Sequence, residues 1–288
     1  MRLAQALEHG GRKAVVINAD SQQVYADLRI LSARPNEDEM GGIEHRLFGT
    51  WDGARACTAA DWAEAAKREI ARCHAEDAVP ILVGGTGLYL RTLLDGIAPI
   101  PAIEPEVRDG VRNLSTHELR EELYVADPVA ATQLSRNDVQ RMSRALEVKL
   151  STGRTLGEWQ LEKVGGIASD FDLHAAIVLP DREWLYRRCD LRVDQMLASG
   201  AVTEVAALLE RKLDPTLPVM RAIGVREISQ LIPLHLHSHL PVSEMKTATR
   251  QYAKRQYTWF RHQPPSEWTR LGCESHDETE IFARLLRK

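Results

Sequence analysis

Asp20 follows the run Ala14-Val15-Val16-Ile17-Asn18, and Thr86 follows Val79-Pro80-Ile81-Leu82-Val83 and two glycines. Each run is short, apolar and rich in branched residues, and each is stopped by polar residues or glycine, which predicts two buried strands. The carboxyl ends of parallel strands are where α/β sheets collect ligands. A carboxylate there can take a proton or help to hold a metal, or it can simply cap a turn. Gly84-Gly85-Thr86-Gly87 opens a helix, and such a turn lets backbone amides approach an anion closely. Tight strand-to-helix turns need glycine in any case. The stronger signal is the pairing of two strand ends with polar tips, which can share one pocket.

Cations form the second signal. Lys246, Arg250, Lys254, Arg255 and Arg261 fall between Lys246 and Pro265 with no acid among them, and Tyr252, Tyr257, Trp259 and Phe260 are interleaved. That mixture suits a phosphate backbone and stacked bases; an amphipathic helix with core aromatics is the structural alternative. Arg141 and Arg144 share a helical face, as do Arg188 and Arg192. Such arginines can meet phosphates or pair with neighbouring acids.

The elements that must position these groups read as follows. Leu3, Ala6 and Leu7 have helical spacing up to Gly10-Gly11. Glu37–Gly42 is a solvated loop, and a short strand starts at His45, whose ring could touch a ligand or pack in the fold. Thr58 caps a helix carrying Trp62, Ala66, Ile70 and Cys73 on its buried face. Pro99, Pro101 and Pro105 mark an exit into charged helical segments, Thr116–Leu123 and Asp138–Leu150, the second capped by Asn137. His174–Pro180 returns as a core strand, followed by a helix with Leu185, Cys189, Val193, Met196 and Leu197 in one stripe. Val202, Val205, Leu208 and Leu209 mark another helix. His235, His237 and His239 alternate, but with no acid or cysteine to complete a metal set they read as a connector. The expected class is α/β, with residues 1–102 and 171–288 forming the core and 103–170 a helical insertion.

With 288 residues, 44% hydrophobic, 27% charged and a net charge of −4, the chain holds a real core, and its global charge gives no sign of nucleic acid. The four cysteines lack C-x-x-C spacing, as in a reduced, cytoplasmic protein. There is no apolar signal core and no run long enough to span a membrane.

Several motifs resemble the tRNA dimethylallyltransferase (tRNA isopentenyltransferase) family over nearly the whole chain. Asn18–Tyr25 is similar to N-A-D-S-x-Q-V-Y, and Pro80–Tyr89 to P-I-L-V-G-G-T-G-L-Y. Asn137–Val148 resembles N-D-x-Q-R-[IVL]-x-R-A-L-E-V, with Met142 in the aliphatic slot. Arg192–Leu197, Ala222-Ile223-Gly224 and Tyr252–Arg261 fit later signatures. The resemblance implies a P-loop nucleoside-kinase-like core with an inserted helical domain that grips a tRNA anticodon stem-loop. It implies transfer of the dimethylallyl group of dimethylallyl diphosphate to N6 of the adenosine 3′ to the anticodon, with Mg²⁺, by a cytoplasmic monomer. On the matched motifs Asp20 is the base, and Thr86 contacts the diphosphate near the breaking bond. Asp20, Ser21, Gln22 and Gln23 meet the flipped adenine, and Arg192 contacts the diphosphate. Arg108, Gln140, Arg141, Met142, Ser143, Arg144, Arg221, Arg226, Lys254, Arg255, Gln256 and Arg261 contact tRNA.

One departure stands out. The family's G-x-x-x-x-G-K-[ST] loop has no counterpart, and Met1–Leu7 aligns with the helix just after it. The expectations are an N-terminally truncated core, a true start roughly 15–25 residues earlier, enough for one strand and the loop, and weak diphosphate binding, marginal stability and little turnover as written. A non-catalytic tRNA-binding remnant is the alternative reading. A small-molecule kinase would not need Gln140–Arg144 or the basic aromatic helix.

Overall fold

The structure, a computed structural model, describes residues 1–230 and 241–272. The His235, His237 and His239 segment and Cys273 lie outside the described residues. The chain divides into two units, Met1–Arg91 with Asp172–Lys288, and Thr92–Phe171.

The first unit is built on a parallel sheet of β1 (Ala14–Asn18), β2 (Glu44–Arg46) and β3 (Val79–Val83), in the order β2-β1-β3. Every residue of β1 is buried. Ala14 and Val16 pack with Ala4 and Leu7 of the helix Arg2–His9 and with Ile43. Side chains alternate across a strand, so Val15 and Ile17 face the opposite side. Helix Ala59–Ala75 starts at Thr58 with the expected cap, reciprocated by Asp61, and buries Trp62, Ala66, Ile70 and Cys73. Further along, β6 (Ala176–Val178) pairs in parallel with β7 (Thr269–Leu271). The core strand expected at His174–Pro180 is thus shorter, and only Ile177 is buried in it. Helix Arg182–Ala198 packs along the basic helix Val242–His262.

The second unit is helical: Pro105–Arg112, Thr116–Ala126, Pro128–Gln133, Val139–Thr152 and Leu156–Gln160. Val111, Leu119, Leu123, Met142, Ala145 and Leu146 form its core. It begins ahead of the expected residue 103 because β4 (Gly96–Ile97) pairs antiparallel with β5 (Val164–Gly165), which ties the two ends of the segment together before the prolines. Two local expectations differ. Glu37–Met40 is a short helix, because Asn36 and Glu39 form a reciprocal cap. Asp138, not Asn137, caps Val139–Thr152 through its bond from Arg141 N.

Candidate active site

The register places Asn18 of β1 beside Val83 of β3, so the two strands release their chains at the same level. Ala19 N donates to the Val83 carbonyl at 2.8 Å, and Thr86 N donates to the Ala19 carbonyl at 3.2 Å. Asn18 is fully buried. Its amide donates to the carbonyls of Asp20 and Leu47, both at 3.0 Å, and its side-chain oxygen accepts from Asp20 N at 2.8 Å. Its own carbonyl accepts from Trp62 Nε1 at 2.8 Å, and Trp62 stacks on Tyr89 with ring centroids 4.7 Å apart. A rigid, hydrogen-bonded floor therefore fixes the residue before the carboxylate.

Asp20 Oδ1 accepts from Gln22 N at 2.8 Å, the turn contact expected of an Asp here. Burial pushes its carboxyl above the ordinary value of 3.8, against the pull of the Gln22 amide and of Arg192. A carboxylate held this way is a better proton acceptor than one on the surface. Beside it, Ser21 N donates to Thr86 Oγ1 at 2.9 Å, and the two hydroxyls lie 3.2 Å apart. The Tyr252 hydroxyl hydrogen-bonds to both, and burial together with the Asp20 charge raises its pKa. Three hydroxyls, one from each of three elements, thus converge next to one carboxyl.

Tyr252 is the member that sequence reading missed. It stood there only as a stacking aromatic, and its place in the motif was the one available signal. Arg192 reaches the same region, with Nη2 donating to the Ser32 carbonyl at 2.9 Å. The Gln22 Oε1 is buried and meets no donor among the described residues. The amide of Gln23, in contrast, is used within the fold, donating to the carbonyls of Ser32 and Ala33 at 3.1 and 3.2 Å.

The glycine turn has structural duties of its own. A Cβ on Gly84 would lie 2.1 Å from the Ala19 carbonyl carbon, and one on Gly87 would lie 2.3 Å from the Trp259 ring. Both glycines are required by packing, whatever else the turn binds. Gln256 Nε2 donates to the Gly85 carbonyl at 3.0 Å, so this expected tRNA contact first pins the basic helix to the turn.

The expected tRNA residues differ in availability. Lys246 pairs with Asp194 at 2.8 Å and Arg250 with Asp190 at 2.6 Å, so two of the basic helix's cations are neutralised by the neighbouring helix. Lys254, Arg255 and Arg261 are exposed and make no ion pair among the described residues. Arg221 and Arg226 are exposed around Gly224, whose φ of 94° suits glycine. In the second unit Gln140 and Arg141 are exposed, Arg141 pairing with Asp138 at 3.4 Å, and Arg144 lies 3.9 Å from Glu147. Ser143 and Arg108 are half-buried, and the Arg108 Nε has no partner among the described residues. Met142 needs correction: its side chain is fully buried in the core of the second unit, which leaves it no surface to offer RNA. His45 takes the structural reading, against Phe48 with Nδ1 2.8 Å from the Ile43 carbonyl.

No group of three metal-ligating side chains occurs among the described residues, and none of their helices is long and apolar enough to cross a membrane. A base beside converging hydroxyl donors and an arginine can take a proton at one point and receive an anion at the next. That is the requirement of a group-transfer enzyme.

Residues 23–263 match the model of the IPP transferase family. A tRNA dimethylallyltransferase of Erythrobacter litoralis is 59% identical over 287 residues, spanning 100% of this chain and 90% of its own. One from Novosphingobium aromaticivorans is 56% identical over 277 residues, spanning 96% and 99%. Among solved structures, the full-length tRNA isopentenylpyrophosphate transferase of Bacillus halodurans has a TM-score of 0.67 at 27% identity, covering 99% of this chain and 88% of that one. A eukaryotic dimethylallyltransferase acting on tRNA has a TM-score of 0.73 at 29% identity, covering 89% and 65%. The chain belongs to the IPP transferase family, the tRNA dimethylallyltransferases.

Proposed function

We infer that this chain transfers the dimethylallyl group of dimethylallyl diphosphate to N6 of the adenosine 3′ to a tRNA anticodon. The observation that carries the reading is the Asp20 carboxyl beside the Ser21, Thr86 and Tyr252 hydroxyls at the ends of β1 and β3. N6 attacks C1 of the dimethylallyl group, the bond from C1 to the diphosphate oxygen breaks, and the N6 proton passes to Asp20. General-base help of this kind contributes ~10²–10⁴ in rate. The hydroxyl of Thr86 donates to the departing diphosphate, supported by Ser21 and Tyr252, and Arg192 balances its charge. Gln22 Oε1, a buried acceptor without a donor, fits an exocyclic amine of the flipped base.

Mg²⁺ is proposed only as a companion of the diphosphate. With Asp20 the carboxylate at this point, and one of its oxygens already bonded to Gln22 N, the ion would be held chiefly by phosphate oxygens and water. The steps above belong to the protein's own groups. We further propose that the core is P-loop-like, which its parallel sheet order and strand-end site support, and that the anticodon stem-loop is the RNA element bound. Lys254, Arg255 and Arg261 carry phosphate contacts, and the working unit is a cytoplasmic monomer. Incubation with tRNA and labelled dimethylallyl diphosphate, then nucleoside analysis by mass spectrometry, should yield N6-(dimethylallyl)adenosine. Absence of that nucleoside would overturn the assignment.

A further inference from the structure

A carboxylate outside the reaction site holds a loop that reaches into it. Arg29 N and Ile30 N donate to Glu204 Oε1 at 2.7 and 2.8 Å, and Leu31 N donates to Oε2 at 2.9 Å. Three successive backbone amides converging on an anion form a nest, and hydrogen bonds to an ionised acceptor are the strong kind. Glu204 lies in the first turn of helix Ala201–Glu210, where the helix dipole favours an acid. The gripped segment continues directly to the site. The Ser32 carbonyl accepts from Arg192 Nη2 at 2.9 Å and from Gln23 Nε2 at 3.1 Å. Ala33, next in line, sits at φ 50°, a left-handed backbone that a residue with a Cβ keeps only when its surroundings hold it there. An unbroken path thus runs from Glu204 through three amides and one carbonyl to the guanidinium whose charge Asp20 feels.

We propose that Glu204 is a positioning residue for the transfer reaction: by clamping the amides of Arg29, Ile30 and Leu31 it fixes the Ser32 carbonyl, which aims Arg192 at the diphosphate. The inference rests on the reading of the Asp20, Thr86 and Arg192 site given above. Glu204 itself makes no bond to the carboxyl or the hydroxyls there. Glu204→Gln keeps the size of the side chain but turns an NH₂ donor toward N–H groups, so at least one amide is left without its acceptor.

The test is a double-mutant cycle on the full chain. Dimethylallyl diphosphate affinity is measured by calorimetry, and kcat and KM are measured with tRNA, for the unaltered protein, Glu204→Gln, Arg192→Ala and the double variant. Thermal unfolding of each is followed in parallel. Glu204→Gln should raise Kd and KM for the diphosphate about tenfold, the scale of one charge-assisted hydrogen bond, with the KM for tRNA changed less than about twofold. The double variant should bind no worse than Arg192→Ala alone, because both changes act through one guanidinium. Glu204→Asp, which keeps the carboxylate, should fall between the unaltered protein and Glu204→Gln, and it serves as the cycle's variant if Glu204→Gln does not fold. Additive losses in the cycle, or unchanged diphosphate affinity, would show a structural role only and overturn the proposal. Failure of the unaltered protein to bind the diphosphate would remove the site reading and this proposal with it.

Discussion

The two ends of the same parallel sheet treat charge in opposite ways. At the amino end, Lys13 just before β1, Glu44 of β2 and Glu76 just before β3 join the Arg46 guanidinium. Lys13 lies 2.7 Å from Glu76 and 3.3 Å from Glu44, and Arg46 lies 2.7 Å from Glu44 and 2.9 Å from Glu76. Hydrogen bonds from Lys13, Arg72 and Arg46 hold the Glu76 carboxyl down at about 2. At the carboxyl end, Asp20 has no cation paired against it, only the backbone amides of Gln22 and Gln23 and the more distant pull of Arg192, and burial pushes its carboxyl up despite them. Charges that serve the fold are paired. The carboxylate proposed above as the base is left under-compensated, which suits it to accept a proton.

The largest expected effect tests the reactive end. Asp20→Asn should cut turnover by ~10²-fold or more while tRNA affinity changes little, measured by steady-state kinetics and filter binding. The same substitution should raise Tm at neutral pH. A carboxyl whose folded pKa is raised favours the folded state below its unfolded pKa, and that contribution is lost as pH rises through the folded value. A fall in Tm at neutral pH would contradict the account of Asp20. Because the base must be ionised, kcat/KM should fall on the acid side through a pKa above 3.8, and a limb at or below that value would exclude Asp20 as its source.

Thr86→Ala should be next, with a loss of about tenfold in kcat, the scale of one hydrogen bond made to a developing anion. Ser21 and Tyr252 keep the site polar, so a loss as large as that of Asp20→Asn would mean that Thr86 organises the pocket rather than donating to the diphosphate.

The contrast between paired and free charge recurs along the basic helix. Lys254→Ala and Arg255→Ala should each reduce the salt dependence of tRNA binding by roughly one log unit of slope for every phosphate the side chain had neutralised. Lys246→Ala and Arg250→Ala, whose cations already face Asp194 and Asp190, should leave the slope nearly unchanged. Equal effects for both pairs would break the distinction.

The smallest effect belongs to the stabilising end. Glu76→Gln should lower Tm modestly. The depressed carboxyl stabilises above the unfolded value of 4.5 and loses that contribution as pH falls towards about 2. The Tm difference between the two proteins should therefore be full at neutral pH and disappear in strong acid. A difference that persists there would mean that Glu76 acts through packing.

Much of this was legible in the residues. Thr58 with Asp61 announced a helix start, the Asp20 and Thr86 motifs marked two strand ends that the fold brings side by side, and the prolines after residue 98 marked the approach to the helical unit. These signals act within a few residues of chain, through capping, turn chemistry and side-chain periodicity, so a linear reading captures them. Other features depend on groups far apart in sequence. β3 is apolar throughout and β1 includes Asn18, yet β1 is wholly buried while Val83 of β3 is 49% exposed. Burial was decided by place in the sheet, centre against edge. Lys246 and Arg250 looked as free as Lys254 and Arg255 until helix packing brought Asp194 and Asp190 alongside. Met142, matched as part of an RNA-binding motif, turned out to be core because its side of the helix faces Leu119 and Leu123. The Tyr252 hydroxyl met Ser21 and Thr86 across more than half of the chain. Residue type and spacing by themselves determined which groups could do chemistry and which short elements would carry them. Which of those groups stay unpaired was decided only by the tertiary structure, because neutralisation requires a partner within a few ångströms, and packing supplies or withholds that partner.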